Sequence, residues 1–175
     1  NRLDHLFDFL RQTDAYDKGR SIFELVPAIC HSLTPMGPAI GTLAQPMGLA
    51  FDSSGNIFYV DQENHHVSRV SQSGISLARF GGWGNGFGRF QYPVSLQLDR
   101  QDNVYVVDMN NQRIQKFLPD GEFILAFGDC EEEGQRLGMV FSSSIDNEDN
   151  LWVADTPHHR IQVYDPNGKL INSIA

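Results

Sequence analysis

Several features that would settle function at once are missing from this sequence of 175 residues. It has two cysteines, Cys30 and Cys130, and neither belongs to a Cys-x-x-Cys pair. Two such cysteines form no disulfide framework, and we interpret both as free thiols. Gly-x-Ser-x-Gly, His-Glu-x-x-His and Walker sequences are absent, so no known nucleophile or zinc-protease motif predicts a catalytic residue.

Long apolar runs are also missing, since no stretch of eighteen apolar residues occurs. The sequence therefore predicts no membrane-spanning helix. Its first residues show no charged-then-apolar signal peptide, and the sequence leaves the cellular compartment open.

Positive charge is scarce, because the net charge is −9 and only 13 residues are Lys or Arg. These basic residues are spread along the chain with no cluster of four. Proteins gain most of their affinity for nucleic acids by neutralising phosphates with Lys and Arg. The composition therefore disfavours RNA binding, which is kept below as a third functional hypothesis.

The chain does contain a unit of 36 residues that occurs three times, each copy starting 47 positions after the last. The copies are residues 46–81, 93–128 and 140–175, and they align without a gap. Several polar and glycine positions recur in register: Asp52, Asp99 and Asp146; Asn56, Asn103 and Asn150; Asp61, Asp108 and Asp155; Gly74, Gly121 and Gly168. A fixed period of this length is typical of repeat architectures.

Each copy is predicted to form four short strands. In the second copy they are Val94–Asp99, Asn103–Asp108, Arg113–Leu118 and Glu122–Phe127, bounded by Asp-Asn, Asn-Asn-Gln and Pro-Asp-Gly turns. The apolar period of two excludes a helical solenoid. Small or polar residues alternate with apolar ones along each first strand, which suits the crowded innermost strand of a β-propeller blade. The predicted fold is all-β, a propeller with three complete four-stranded blades.

The repeat resembles that of the NHL family, in which an aromatic-aliphatic strand ends in Asp and an Asn-His-Arg-Ile turn follows. The signature segments here are residues 64–67, 111–114 and 158–161, and the glycine-rich linker 81–93 is similar to the family's crossing between blades. The departures are His66 in place of Arg, Val140 in place of the opening Pro, the acidic linker 129–139, and Ala175 in place of the final Gly.

This resemblance implies a ring of about six blades, whereas the sequence predicts three after an irregular leader. Residues 1–33 are predicted to form that leader, a short helix followed by a partial blade, and residues 34–175 the propeller blades. A partial ring leaves sheet faces and edges uncovered. We therefore expect a fragment of a longer chain (the alternative favoured by the first and last residues), two chains completing one ring, or a partner on the open side.

The recurrent aspartates Asp61, Asp108 and Asp155 could suggest a calcium site. Each one, however, ends a strand five residues before His66, Arg113 or Arg160. A carboxylate there can accept turn N–H groups and pair with the cation, so we predict a structural role for these positions.

The histidines His65 and His159 occupy equivalent positions and are weak candidates for metal ligands, since imidazole is a common ligand. The resemblance extends to a metal-dependent amidating lyase that gathers histidines from several blades. Copy two has Gln112 there, and the family's turn ordinarily carries His, so we predict turn residues, no metal and no cofactor.

The linkers are where the copies differ. Trp83, Phe87, Arg89 and Tyr92 crowd the first linker, and Glu131, Glu132 and Glu133 lie in the second. The glycine pattern of the first is superficially similar to a phosphate-binding loop, but no helix pattern follows it. Aromatic packing between blades and a solvated acidic loop are the plain interpretations. The alternative is that these residues bind a partner, because Trp, Tyr and Arg dominate interface hot spots.

The sequence therefore favours a non-catalytic NHL-type scaffold that binds a protein partner or a sister subunit completing the propeller. The competing hypotheses are a metal-dependent propeller lyase or hydrolase, for which further blades would have to supply ligands, and an RNA-binding propeller.

Overall fold

The computed structural model describes residues 43–129 and 135–175. The predicted leader, residues 1–33, lies outside the described residues, as do Glu131, Glu132 and Glu133. In the described part, twelve strands form three separate four-stranded antiparallel sheets. Each sheet coincides with one copy of the repeat, and the three are called blades 1, 2 and 3 below.

The strands of each blade follow one another in sheet order as they do in sequence. Blade 1 consists of β1 (Pro46–Phe51), β2 (Ile57–Asp61), β3 (His66–Val70) and β4 (Ser76–Gly81). Blade 2 consists of β5 (Pro93–Leu98), β6 (Val104–Asp108), β7 (Arg113–Phe117) and β8 (Phe123–Phe127). Blade 3 consists of β9 (Ser143–Ile145), β10 (Leu151–Asp155), β11 (Arg160–Tyr164) and β12 (Leu170–Ile174). These bounds confirm the four-strand prediction, with limits in blade 2 that differ by one residue.

The first strand of each blade lies innermost, because β1 contacts β5 and β5 contacts β9. Space there is tight: a Cβ atom added to Gly48 would lie 2.8 Å from the backbone nitrogen of Leu96. Small side chains on this side of β1 therefore allow neighbouring blades to approach. The three blades form part of a β-propeller, and the ring is incomplete within the described residues.

Two apolar cores fill the spaces between successive blades. The core between blades 1 and 2 is built from Phe58, Val60, Val67, Phe90, Leu96, Val104, Val106 and Phe117. The core between blades 2 and 3 is built from Val94, Tyr105, Val107, Ile114, Phe127, Leu137, Val140, Leu151, Val153 and Tyr164. Blade 2 thus contributes apolar side chains to the spaces on both sides of it, as expected for a sheet buried on both faces.

The outermost strand of one blade packs against a glycine turn of the next. A Cβ atom on Gly121 would lie 2.6 Å from Phe80, and one on Gly168 would lie 2.6 Å from Phe127. Both glycines have positive φ, +96° and +79°. The recurrent glycine therefore meets two requirements, a left-handed turn and room for the neighbouring aromatic ring.

The turn after each first strand is organised by one aspartate. In blade 2, Asp99 accepts hydrogen bonds from the backbone N–H of Gln101 (3.0 Å) and Asn103 (2.9 Å). It also accepts one from the Asn103 side chain, and its Oδ2 lies 3.3 Å from Lys116 Nζ. Blade 1 repeats this arrangement with Asp52 and Arg69, whose Nε donates at 3.0 Å.

In blade 3 the equivalent aspartate, Asp146, has no cationic partner at this position, because Val163 stands where the other blades carry Arg69 and Lys116. The indole N–H of Trp152 donates to Asp146 Oδ2 at 2.8 Å instead. This bond, with those from Asn150 and the backbone of Glu148, holds the pKa of Asp146 at about 2.

Neighbouring blades are also joined by a polar contact between these turns. Asp102 in blade 2 accepts from the backbone N–H (2.8 Å) and the hydroxyl (2.6 Å) of Ser53 in blade 1. Asp149 in blade 3 accepts from the backbone N–H (3.1 Å) and Nε (2.9 Å) of Arg100 in blade 2. The repeat thus specifies the register of adjacent blades as well as the strands within each blade.

The turn between the second and third strands contains short 3-10 segments that the sequence did not predict, at Met109–Asn111 and Thr156–His158. Each ends in a left-handed residue, Gln112 and His159, both with φ of 54°. His65 at the equivalent position of blade 1 has φ of 55°. The metal candidates His65 and His159 are thus turn-ending residues. No helix in the described part of the chain is long and apolar enough to cross a membrane.

Replacing Gly121 with alanine is expected to destabilise the protein by about 2 kcal/mol, because the new methyl group meets Phe80 in a left-handed conformation. The measurement is urea denaturation monitored by circular dichroism. Gly86→Ala is the matched control, since nothing lies within 4 Å of a Cβ at Gly86. Equal unfolding midpoints for the two variants would contradict the account of the blade contact.

Asp146→Asn is expected to flatten the loss of stability in acid. The pKa of Asp146 is about 2 in the folded protein against 3.8 ordinarily. Its ionised form therefore stabilises the fold fully above pH 3.8, and this contribution is lost as the pH falls toward 2. Denaturation series across this range compare the variant with Asp120→Asn, an exposed turn aspartate. Identical acid slopes for the two would show that the Trp152 bond does not set this behaviour.

Candidate functional site

The linker between blades 1 and 2 folds into a closed loop of its own. The backbone N–H of Phe90 donates to Gly82 O (2.9 Å), that of Gly84 to Phe90 O (3.1 Å), and that of Arg89 to Gly86 O (3.1 Å). Residues 82–92 are called the linker loop below. Strand β5 follows it directly, so the glycine pattern does not open a helix and lacks the helix N-terminus of a phosphate-binding loop.

Two buried side chains of β7 fasten the linker loop to blade 2. Arg113 Nη2 donates to the backbone oxygens of Gly86 (2.8 Å) and Arg89 (3.0 Å). Gln115 donates to Arg89 O (2.7 Å) and accepts from the backbone N–H of Gly88 (2.9 Å). The loop is therefore held at several points by groups on a central strand, which gives its exposed side chains a fixed platform.

The repeated carboxylates lie beneath the linkers and are themselves fully buried. Asp108 accepts from Arg113 Nε (2.9 Å), the Asn111 side chain (2.8 Å) and the backbone N–H of Gln91 (2.7 Å). Asp155 accepts from Arg160 Nε (2.8 Å) and from the backbone N–H of Gly138 (3.0 Å). Each carboxylate thus joins a linker to the following turn within one blade.

The net pKa shifts of Asp108 and Asp61 have opposite signs. Desolvation raises the pKa of Asp108 despite the bonds from Gln91, Asn111 and Arg113. Burial also acts to raise the pKa of Asp61, but bonds from Ala44, Asn64 and Gln45 outweigh it and lower that pKa overall. Hydrogen bonds to the ionised form therefore determine the sign of the pKa shift where desolvation is smaller.

In blade 1 the predicted pairing of Asp61 with His66 is wrong. Asp61 accepts instead from the backbone N–H of Ala44 (3.0 Å) and Gln45 (3.1 Å) and from the Asn64 side chain (2.9 Å). The imidazole of His66 lies 3.1 Å from Arg79 Nη2. Burial and the nearby Arg79 charge lower the pKa of His66, which favours the neutral ring. The imidazole ring of His66 is shorter than the guanidinium group of an arginine. The backbone N–H groups of Ala44 and Gln45 donate to the Asp61 carboxylate in its place.

Three aromatic rings meet on one side of the linker loop. The His65 ring lies edge-on to Trp83 (4.7 Å between centroids) and to Tyr92 (5.0 Å), and Trp83 and Tyr92 are 6.0 Å apart. The backbone N–H of Tyr92 donates to His65 Nδ1 at 3.2 Å. Tyr92 has φ of 53°, a left-handed conformation that is unusual for a bulky residue and is found more often at functional sites.

The most exposed aromatic residue of the described part of the chain lies further along the loop. Phe87 is 72% exposed, although its ring stacks on Phe123 with centroids 4.8 Å apart. Trp83 is 61% exposed. Phe87 and Trp83 are therefore both exposed on a loop held by buried hydrogen bonds, and these two side chains are called the aromatic surface below.

Arg89, which was also predicted to bind a partner, makes hydrogen bonds that hold the loop. Its Nη1 donates to Gly81 O at 2.8 Å, and its backbone oxygen accepts from Arg113 and Gln115. Arg89 is exposed, so its other guanidinium nitrogens stay accessible to solvent. The structure thus brings Trp83, Phe87, Arg89 and Tyr92 together in one loop.

The metal candidates form no ligand cluster: among residues 43–129 and 135–175, no group of three or more His, Cys, Asp or Glu residues could hold an ion. His65 Nδ1 accepts the Tyr92 hydrogen bond, which leaves only Nε2 of that ring for another partner. His159 is exposed at the equivalent turn of blade 3.

Sequence reasoning missed three residues that position the site: His65 as a ring partner, Phe123 under Phe87, and Gln115 as the loop's anchor. A signal for the last was present. Gln115 and Gln162 recur at one repeat position in the middle of buried strands, and a fully buried polar residue requires a hydrogen-bonding partner.

The family model described as NHL repeat matches residues 90–117 and 144–164. The first segment includes strands β5, β6 and β7 of blade 2, with Arg113 and Gln115 on β7. The second includes most of the first three strands of blade 3. No curated protein matches the chain.

Solved structures resemble the chain in fold at low sequence identity. A catalytically inactive virginiamycin B lyase from Staphylococcus aureus, crystallised with quinupristin, has a TM-score of 0.58 and 16% identity over 80% of this chain and 43% of that chain. A gluconolactonase from Xanthomonas campestris has a TM-score of 0.59 and 14% identity over 77% of this chain and 48% of its own. Kuenenia stuttgartiensis hydrazine synthase has a TM-score of 0.59 and 14% identity over 78% and 39%.

The chain therefore spans less than half the length of these three proteins. At such identities the likeness concerns the fold alone, and it agrees with three consecutive propeller blades. Two of the three copies thus match the NHL-repeat model, and the copy at residues 46–81 carries the same pattern in the same register.

Proposed function

We propose that this chain is a non-catalytic scaffold whose aromatic surface binds a protein partner. The observation that carries the proposal is the exposure of Trp83 (61%) and Phe87 (72%) on a loop fastened by buried Arg113 and Gln115. Exposed aromatic residues on a rigid support are typical anchors of protein interfaces. Because the loop is already ordered, little conformational entropy is lost when a partner binds.

The charge of the chain favours the same conclusion. A net charge of −9 repels anionic ligands such as RNA over long distances, whereas it leaves an apolar contact unaffected and attracts basic protein surfaces. Arg89, next to the aromatic residues, adds a hydrogen-bond donor of the kind enriched at interface hot spots.

The double variant Trp83→Ala/Phe87→Ala is expected to weaken partner binding at least tenfold, since hot-spot aromatic residues contribute about 2 kcal/mol each. Candidate partners are captured on the immobilised chain and identified by mass spectrometry. Their affinities for the chain and its variants are then measured with purified proteins by calorimetry.

Met139→Ala is the matched control, because Met139 is 43% exposed in the second linker at the position equivalent to Tyr92. It should leave the affinity unchanged. If the control weakens binding as much as the double variant, or if the double variant binds normally, the aromatic surface is not the binding site.

An enzyme is the second candidate, because two of the similar structures are named as a lyase and a gluconolactonase. It requires ligands or catalytic groups that the described residues do not assemble. The proposal gains support from the burial of Asp108 and Asp155, whose carboxylates are taken up by hydrogen bonds within their own blades.

Elemental analysis of the purified chain separates the two candidates. We expect no stoichiometric zinc or calcium and no change between the chain and its His65→Ala and His159→Ala variants. Stoichiometric metal that is lost in either variant would favour the enzyme and contradict the scaffold.

A further inference from the structure

Both ends of the linker loop are bonded to one residue, His65. The backbone N–H of Gly82, the first residue of the loop, donates to His65 O at 2.6 Å. The backbone N–H of Tyr92, the last residue, donates to His65 Nδ1 at 3.2 Å. This pair of bonds is called the His65 clip below. One bond uses the backbone of His65, and the other depends on its titratable ring.

The bond to Tyr92 fixes the protonation state of the His65 ring. A backbone N–H can only donate, so Nδ1 must be the nitrogen that carries no hydrogen. A protonated imidazole carries a hydrogen on both nitrogens and therefore offers no acceptor in any orientation of the ring. The bond to Tyr92 consequently forms only while His65 is neutral.

This bond holds a residue in an unfavourable backbone conformation. Tyr92 has φ of 53°, which bulky residues adopt where the surrounding contacts enforce it. Met139 occupies the same repeat position in the second linker and is not left-handed. The left-handed linker residue therefore occurs where the turn histidine accepts its N–H.

We propose that protonation of His65 opens the His65 clip at Tyr92 and weakens partner binding by the aromatic surface. The inference rests on the function proposed above and concerns the regulation of the same site. The His65 ring lies edge-on to Trp83, with 4.7 Å between centroids, so a change at the clip reaches the aromatic surface directly. Histidine is the side chain whose charge ordinarily changes between about pH 5 and 8. The clip is closed at the upper end of this range and opens as the pH falls.

Titratable and charged groups lie on the segments around His65: Asp61, Glu63, His66, Arg79, Arg89, Tyr92, Asp108 and Arg113. Asp108 is paired with Arg113, and the Asp61 carboxylate is occupied by backbone and amide donors. Burial, the Arg79 charge and, more weakly, the neighbouring His65 lower the pKa of His66. A proton taken up by these two adjacent histidines therefore goes to His65.

A second turn histidine shows why the partner of the ring matters. His158 Nδ1 lies 2.9 Å from Asp155 Oδ2 in blade 3. A carboxylate accepts, so this Nδ1 carries the hydrogen, and the neutral and the protonated ring can both make the bond. Protonation thus leaves the His158 contact in place, whereas it breaks the bond that His65 makes with a backbone donor.

The test is a pH titration of the full chain followed by NMR, between about pH 8 and 5. At the upper end we expect a neutral His65 ring with its hydrogen on Nε2. As the ring takes up a proton, the protection of the Tyr92 amide from solvent exchange, corrected for the intrinsic rate, should fall about tenfold. A hydrogen on Nδ1 in the neutral ring, or protection of Tyr92 that does not change with the ring, would overturn the proposal.

His65→Gln removes the titration and keeps an acceptor. Gln112 occupies this turn position in blade 2 with φ of 54°, so the turn accommodates glutamine, and its side-chain oxygen can accept from Tyr92. Protection of the Tyr92 amide should then be independent of pH. His159→Gln is the matched control, because His159 ends the equivalent turn of blade 3 and the variant should leave the response of Tyr92 unchanged. The same pH response in His65→Gln as in the natural chain would contradict the proposal.

The protein partner purified in the binding test above serves as the probe of regulation. Its affinity for the natural chain should fall about tenfold across the titration, and its affinity for His65→Gln should change by less than about twofold. Binding to the natural chain that is independent of pH would overturn the regulatory role and leave the scaffold function standing. If binding does not depend on Trp83 and Phe87, the scaffold function fails, whereas the NMR titration still decides whether the clip opens.

Discussion

Each described blade is a four-stranded sheet with apolar side chains, and these side chains are stable in water where a neighbouring blade covers them. The burial of Phe58, Phe117, Ile114 and Leu151 shows the effect where neighbours are present. Transfer of each such side chain out of water is favourable by about 1.5–3 kcal/mol. The stability of a blade is therefore shared with its neighbours.

A second constraint joins the linkers to the blades. Asp108 is buried with Arg113 beside it, and the guanidinium reaches on to backbone oxygens of the linker loop. A buried charge is tolerated only when it is paired and hydrogen-bonded, so the pair and the loop require each other. Because this network ends beneath the linker loop, Trp83 and Phe87 are displayed on a fixed framework although they contribute little to the core.

The relation to the similar enzymes follows from this division between framework and linker. Blades are specified by positions that recur every 47 residues, whereas the linkers between copies vary in sequence. Proteins of one fold can therefore differ in chemistry, since function resides in sites carried by the fold. In this chain the first linker carries exposed aromatic residues among several glycines, whereas the described part of the second carries no aromatic residue.

The sequence by itself determined the strands, their order, and the turns that separate them, because each depends on a local pattern of alternation, Asp-Asn turns and glycine. It also placed Asp108 beside Arg113 and Asp155 beside Arg160, since five residues span one tight turn. It misjudged Asp61, whose acceptors are filled by backbone groups distant in sequence that no local pattern reveals. Only the tertiary structure decided that Gln115 holds the linker loop, that Trp152 replaces a cation at Asp146, and that Phe87 stays exposed. Those outcomes depend on which side chains the packing of neighbouring blades leaves within hydrogen-bonding distance or in contact with water.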